Sequence, residues 1–421
     1  MIRRISLVVV LLFTVSYRIL ANSILLPMDE TQTNHLKAYG IAYWVLQQEI
    51  EVDWLLNYRG GSFMFKYDRK FENELVVRGI SYQVISDAQS AQIVNEINQP
   101  DVNMDVMKLD KPPKVAVYSP KSKQPWDDAV TLVLTYAEIP YDVVFDEEVM
   151  DGKLPKYDWL HLHHEDFTGQ YGKFYRYYRT APWYQEMQRE FETVAKKYGY
   201  NKVSTFKLSV VKKIREFCAG GGFLFAMCSA ADTYDIALAA DGVDICESMY
   251  DGDGADPAAQ KKLNFSNTFA FKDFTISMDP YEPEYSNIDN QPLERGLNEN
   301  NDFFTLFQFS AKWDPVPTML TQNHQTVVKG FLGQTTGFKK NLTKSEVIVL
   351  GETKSANEVK YIHGTFAKGT WTFYGGHDPE DYQHTVGEEP TDLTLHPNSA
   401  GYRLILNNIL FPAAKKKKQK T

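Results

Sequence analysis

The chain contains only 3 cysteines in 421 residues, too few to build a small fold stapled by disulfides. The odd number leaves at least one of Cys218, Cys228 and Cys246 unpaired within the chain. Excess positive charge is also missing: Lys and Arg number 45 against 54 Asp and Glu, a net charge of -9 at pH 7. A nucleic-acid partner needs a basic footprint for phosphate and is not expected. Past the first residues no long uninterrupted apolar run occurs, so no membrane-spanning segment is expected. No cysteine stands near Ala21 to accept a lipid anchor.

What is there begins with a targeting pattern. Arg3 and Arg4 precede a short apolar run from Ile5 to Val15, and Leu20-Ala21 before Asn22 offers a cleavage point. Residues 1–21 are therefore expected to be a signal peptide, and the protein to be exported to the periplasm or cell envelope. At the other end Lys415 to Lys418 and Lys420 form a like-charge run, and 412–421 is expected to be a basic solvated tail. Between them, a composition of 43% hydrophobic residues suffices for one large core or two modest ones.

Apolar periodicity orders the rest. Thr33 to Glu49 reads as a helix and Val52 to Asn57 as a strand, opening an α/β block over 22–110. Gln32, Asn34 and His35 sit where a helix cap belongs. Pro100 and Pro112-Pro113 mark 99–113 as a linker. From there KVAVY, a helix over Asp127 to Glu138, YDVVF and KYDWLHLH repeat the βαβαβ rhythm of an open, doubly wound, mostly parallel sheet. The main domain is placed at 111–411, with insertions near 167–206 and 248–344. Residues 257–312 show no periodicity that places them. Val359 to Phe366 and Thr370 to Tyr374 read as a hairpin. Ser399 to Leu410 reads as the closing helix.

The most informative stretch is VVKKIREFCAGGGFLFAMCSAADTYD, residues 210–235. A helix stops at Gly220-Gly221-Gly222, and Phe223 to Met227 then runs continuously apolar, as a strand buried on both faces does. Cys228 ends the strand, and Ser229, Ala230 and Ala231 are small enough for a sharp turn into a second helix. That is the layout of a nucleophile elbow, in which the helix N-terminus favours a thiolate. A thiol needs a base and a group to orient it. His377 follows an apolar strand and a Gly-Gly turn, as Cys228 does, and Glu380 can fold back across Pro379 as the third member. Asp378 and Asp381 remain open as alternatives.

Two other clusters bear on chemistry. His161, His163, His164 and Glu165 stand at the carboxyl end of a strand, where ligands bind in such sheets, and are candidates to face substrate. His161 and His163 share one strand face and His164 the other, so a common ion is not expected. The acidic loop at 250–256 has calcium-like spacing but lacks the acceptor ladder and terminal glutamate of a calcium loop. No cofactor and no metal are expected.

GGGFLFAMCSAAD and GGHDPED resemble the class I glutamine amidotransferase-like superfamily, over residues 114–247 and 345–411. The resemblance implies a doubly wound, flavodoxin-like α/β domain with Cys228 as nucleophile, His377 as base and Glu380 as acid. Backbone amides around Ser229 would hold the oxyanion. Ala226 and Ala230 stand where the family usually has glycine, and two residues rather than one separate the histidine from the acid. MDETQTNHLKAYGIAYWVL, HHEDFTGQYGKF and MCSAADTYD are also similar to exported Bacteroidetes proteins labelled asparagine synthetase B. Glutamine-dependent synthetases of that name use an N-terminal cysteine and an SGGxDS phosphate loop, and the chain shows neither. The expected activity is cysteine-dependent hydrolysis of an amide or ester. Two alternatives stand beside it. One is a non-catalytic envelope binding or assembly domain; the other is a saccharide-binding or saccharide-modifying protein using the Tyr-rich 174–184 stretch.

Overall fold

The computed structural model describes residues 23–414 except Lys123, Gln291 and 321–324. The expected signal peptide and the lysine run at 415–421 lie outside the described residues. The apolar runs of the main domain become parallel strands β6 (Val115–Tyr118), β7 (Tyr141–Val144), β8 (Trp159–Leu162), β9 (Phe223–Met227) and β15 (Gly369–Tyr374). They lie side by side as β7-β6-β8-β9-β15, parallel throughout. The order reverses between β6 and β8, so their carboxyl ends frame the crevice in which doubly wound sheets bind ligands.

Side chains along these strands alternate between two cores, as a period of two requires. Val115, Val117, Phe223, Phe225 and Met227 face the helices Ala129–Tyr136 and Ala400–Leu410. Ala116, Tyr118, Leu224 and Ala226 face the helices Val203–Ala219 and Ser229–Ala239. Burial on both faces explains why β9 shows no polar alternation. Fully burying one such Leu or Phe contributes roughly 1.5–3 kcal/mol, so a polar residue here would be strongly selected against.

Beyond β15 the sheet continues antiparallel. The expected hairpin forms as β14 (Glu358–Phe366) and β15, turning at Ala367, whose φ is 52°. Next come β13 (Ile348–Thr353), β10 (Phe303–Leu306) and β11 (Val327–Lys329), while β12 (Phe338–Lys339) pairs with β14. Much of the segment that periodicity left unplaced thus serves to widen the sheet. Phe269, Ala270 and Phe271 are pinned by their amides, which donate to the buried Asp235 carboxylate at 2.7–3.0 Å.

The N-terminal block forms a second, antiparallel sheet in the order β4-β1-β3-β2-β5. Its strands are β1 (Ser23–Leu26), β2 (Val52–Leu56), β3 (Ser62–Lys66), β4 (Gln83–Ile85) and β5 (Asp105–Leu109). The linker expected over 99–113 is corrected by β5, which pairs with β2 along its whole length. Nor is the block separate. Helix His35–Gln47 packs so closely on the main domain that a Cβ on Gly40 would lie 1.8 Å from the Ala137 carbonyl oxygen. Fully buried Arg403 donates to the Met28 and Gly60 carbonyls. Asn34 caps helix His35–Gln47 by accepting from the Lys37 amide at 2.9 Å, which accounts for the polar cluster there. Among the described residues no helix is long and apolar enough to cross a membrane.

Candidate functional site

Cys228 follows β9 directly and precedes helix Ser229–Ala239. Its backbone is left-handed, at φ 49° and ψ -140°. A non-glycine residue held there costs on the order of 1–3 kcal/mol, and such strain persists only where the surroundings over-determine it. Here they do: the Cys228 amide donates to the Gly376 carbonyl at 3.2 Å, and the Ala230 amide to the His163 carbonyl at 2.9 Å. One elbow therefore binds the ends of β8 and β15 together. Ala226 and Ala230 fit the turn fully buried.

His377 comes off β15 through Gly376, whose φ of 98° and close approach to the Phe331 ring suit glycine alone. Its imidazole stands beside the Cys228 thiol, with a ring nitrogen within 4.8 Å of the sulfur. Its Nε2 lies 3.0 Å from Asp127 Oδ1, in the turn between β6 and the next helix. Burial by itself pulls the imidazolium pKa down, but the hydrogen bond to Asp127 and the neighbouring Cys228 sulfur outweigh it and push it up to about 10. Burial likewise opposes ionisation of Asp127, yet His377, His384 and His163 hold it below the usual carboxylate range.

The carboxylate beside the base is thus Asp127, where the sequence pointed to Glu380. Glu380 Oε2 lies 3.2 Å from His396 Nδ1, and the Glu380 amide donates to Asp378. Asp378 accepts from the Tyr402 hydroxyl at 2.6 Å. Asp381 stands one step removed: it meets His384 Nδ1 at 2.9 Å, and His384 Nε2 lies 3.2 Å from Asp127. The aspartate could have been found by asking which residues follow the first parallel strand at the switch point; helix periodicity hid it as a helix start.

The histidines after β8 also differ from expectation. The strand ends at Leu162, so strand alternation does not apply to His163 and His164, and their rings stack at 3.8 Å between centroids. Both rings approach His377, at 4.9 and 4.6 Å. His164 Nε2 donates to the Asp127 carbonyl at 2.7 Å. Burial drives His164 well below its ordinary pKa, and drives His163 to about 4 despite Asp128. His161 does not face the site: it donates Nδ1–H to the Phe225 carbonyl at 3.2 Å and lies 3.1 Å from Asp128 through Nε2. Glu165 also turns away, among Lys207, Asp146 and Asp166, and burial raises it to about 8.

Two further parts carry no sequence signal of their own. The amide of Gln334, in the loop after β11, donates to Cys228 Sγ at 3.2 Å. That loop is held by the buried Lys360 ammonium, which donates to the Phe331 and Thr336 carbonyls at 2.6 and 2.9 Å. Beside His164 lies an aromatic cluster: Trp126 packs on His164, Phe174 and Trp183 at 5.2–5.6 Å. Gln334 Nε2 donates to the Gly172 carbonyl, two residues before Phe174. Cys228 is left 2% exposed and His377 5%.

Ser229 is the first residue of its helix, its hydroxyl buried without a hydrogen-bond partner. Cys218 and Cys246 are buried and unpaired, as is Cys228, and the first two lie near the Thr370 and Thr168 carbonyls. In the acidic loop the ammonium of Lys202 sits among Asp244 at 2.5 Å, Asp251 at 3.1 Å and Asp253, where a cation would be held.

No family model matches the chain, and no curated protein matches it. Among solved structures it is similar to the cytoplasmic protein STM3548 from Salmonella typhimurium, with 10% identity and a TM-score of 0.33 over 72% of this chain and 100% of that one. The cytoplasmic protein STM1381 from Salmonella typhimurium LT2 has 12% identity and a TM-score of 0.33 over the same shares. The GH42 β-galactosidase Gan42B has 12% identity and a TM-score of 0.29, over 64% of this chain and 28% of that one. Likenesses this distant bear on neither fold nor function.

Proposed function

We propose that the protein is a cysteine-dependent hydrolase or transferase acting on an amide or ester. The observation that carries this reading is the line Asp127, His377, Cys228, assembled from three strand ends at a strained elbow. Cys228 Sγ attacks the carbonyl carbon, and His377 delivers a proton to the departing amine or alkoxide. The resulting thioester is cleaved by water or by an acceptor, with His377 taking the incoming proton. Asp127 keeps the imidazole aligned. The Gln334 amide, already aimed at the sulfur, and the Ser229 amide at the helix start are the donors placed for an oxyanion. The resemblance of GGGFLFAMCSAAD and GGHDPED to class I glutamine amidotransferase-like proteins supports the same reading, and the leader motif supports an exported setting.

The test is alkylation of metal-free protein with iodoacetamide, read by peptide mass spectrometry, followed by trapping of an acyl group from a panel of amides and activated esters. Cys228 should react far faster than Cys218 and Cys246, and His377→Ala should slow it by about 100-fold, the usual scale of a lost acid–base partner. An acyl adduct should appear on Cys228 and vanish in Cys228→Ala. Equal reactivity of the three thiols, indifferent to His377, would overturn the reading.

A saccharide ligand is a second reading, favoured by half-buried Trp126, Phe174 and Trp183 beside His164. Quenching of tryptophan emission by sugars, lost in Trp183→Ala, would support it.

A further inference from the structure

We propose that His163, His164, Cys228 and His377 form a soft transition-metal site that takes one Zn²⁺ through imidazole nitrogen and thiolate sulfur. One ring nitrogen from each histidine and the sulfur all lie within 4.8 Å of one another. The donor set is the one zinc selects, and a carboxylate-bound hard ion such as magnesium or calcium would not.

The second observation concerns the far side of each ring. A ligating histidine is normally oriented by a hydrogen bond from its other nitrogen to a carboxylate or carbonyl. His377 Nε2 has Asp127 Oδ1 at 3.0 Å, His164 Nε2 has the Asp127 carbonyl at 2.7 Å, and His163 Nδ1 lies 3.3 Å from Asp128 Oδ2. His377 and His164 are thus held from outside by Asp127 and each keeps one nitrogen to offer, while His163 has Asp128 beside Nδ1 without a formed hydrogen bond. The other His163 nitrogen, Nε2, is buried without a hydrogen-bond partner in a residue only 1% exposed. An orphaned buried nitrogen is left without the partner it had in water, and a metal bond would satisfy it.

The geometry needs a ring rotation: the His163 and His164 rings stack with 12° between their planes, so one of them turns to aim its nitrogen at the shared ion. With bonds of about 2.0–2.3 Å, neighbouring ligand atoms around a tetrahedral zinc lie roughly 3.5 Å apart, so the cluster contracts by about an ångström. The consequence is regulatory: a thiolate bound to zinc has lost much of its nucleophilicity, so zinc suppresses acyl chemistry at this sulfur. The metal site does not depend on the hydrolase reading, which is tested on metal-free protein.

The experiment uses the full chain stripped by chelator, then titrated with Zn²⁺ or Co²⁺. One equivalent of Co²⁺ should produce a sulfur-to-cobalt charge-transfer band together with the intense visible bands of tetrahedral cobalt. Cys228→Ser should lose the first, and His163→Gln should weaken zinc binding at least about ten-fold. Asp127→Asn should also weaken it, by roughly 10–100-fold, whereas His396→Gln should not. Zinc should protect Cys228 of the unaltered protein from iodoacetamide, a readout that needs no variant to fold. Absence of the charge-transfer band, or alkylation of Cys228 at an unchanged rate with zinc present, would overturn the site.

Discussion

Asp127→Asn separates the site the structure shows from the one the sequence implied. Asparagine keeps the shape of the side chain, and its carbonyl oxygen can still accept from His377 Nε2, so the change removes charge rather than geometry. Asp127 lies 3.0 Å from His377 and 3.2 Å from His384. A hydrogen bond to a charged partner is worth about 1.5–3 kcal/mol against about 1 for a neutral one. The lost attraction between unit charges near 4 Å is at most about 4 kcal/mol at an effective dielectric constant of 20. Burial and the remaining dipoles reduce that sum, leaving on the order of 2–3 kcal/mol, or roughly 30–160-fold in rate. Alkylation of Cys228 in metal-free protein should slow by that factor. Glu380→Gln should change it by less than about two-fold, because Glu380 pairs with partly exposed His396. If Glu380→Gln slows the reaction as much as Asp127→Asn, or neither does, the relay is misassigned.

Three other predictions test the frame around the site. Gly40→Ala drives a methyl to 1.8 Å from the Ala137 carbonyl oxygen; overpacking should cost about 1–3 kcal/mol or more, seen as a lowered urea midpoint. Burial lowers Lys360 to about 8, opposed by Glu358 and other acids, against about 10.4 in the unfolded chain. The unfolded state then binds more protons between those values, so this group's contribution to stability rises by about 3 kcal/mol from pH 8 to 10.4. The stability difference between wild type and Lys360→Met, measured by urea melts at both ends of that range, should grow by this amount in favour of wild type. Lys202→Ala should leave Asp244, Asp251 and Asp253 in mutual repulsion, lowering stability by at most about 1 kcal/mol after solvent screening, seen as a lower urea midpoint. Added calcium should restore it in the variant and leave wild type unmoved.

Where the sequence was legible, the signal was local. The continuous apolar run Phe223 to Met227, the glycines before it and the small residues after it each act within a few positions, and together they announced the elbow. The hairpin at Ala367 and the closing helix capped by Ser399 were readable for the same reason. The expectation for Glu380 used local proximity too, and there it failed: Asp378 holds the Glu380 amide, and the side chain swings to His396. β5 was read as linker because Pro100 and Pro112-Pro113 outweighed a strand whose stability comes from pairing with β2.

The sequence by itself determined that the chain is an α/β protein, that Cys228 ends a buried strand at a tight turn, and that His377 follows another strand in the same manner. Burial on both faces of a parallel sheet leaves a continuous apolar record, and a sharp turn demands small residues on the spot. The tertiary structure decided which groups meet. Asp127, His163 and His377 follow β6, β8 and β15, whose ends the strand order β7-β6-β8-β9-β15 brings to one crevice around the thiol, and the loop after β11 adds Gln334 from the far side of the sheet. Nothing in the spacing of those residues along the chain encodes that meeting, because strand pairing rather than sequence separation sets the distance between them.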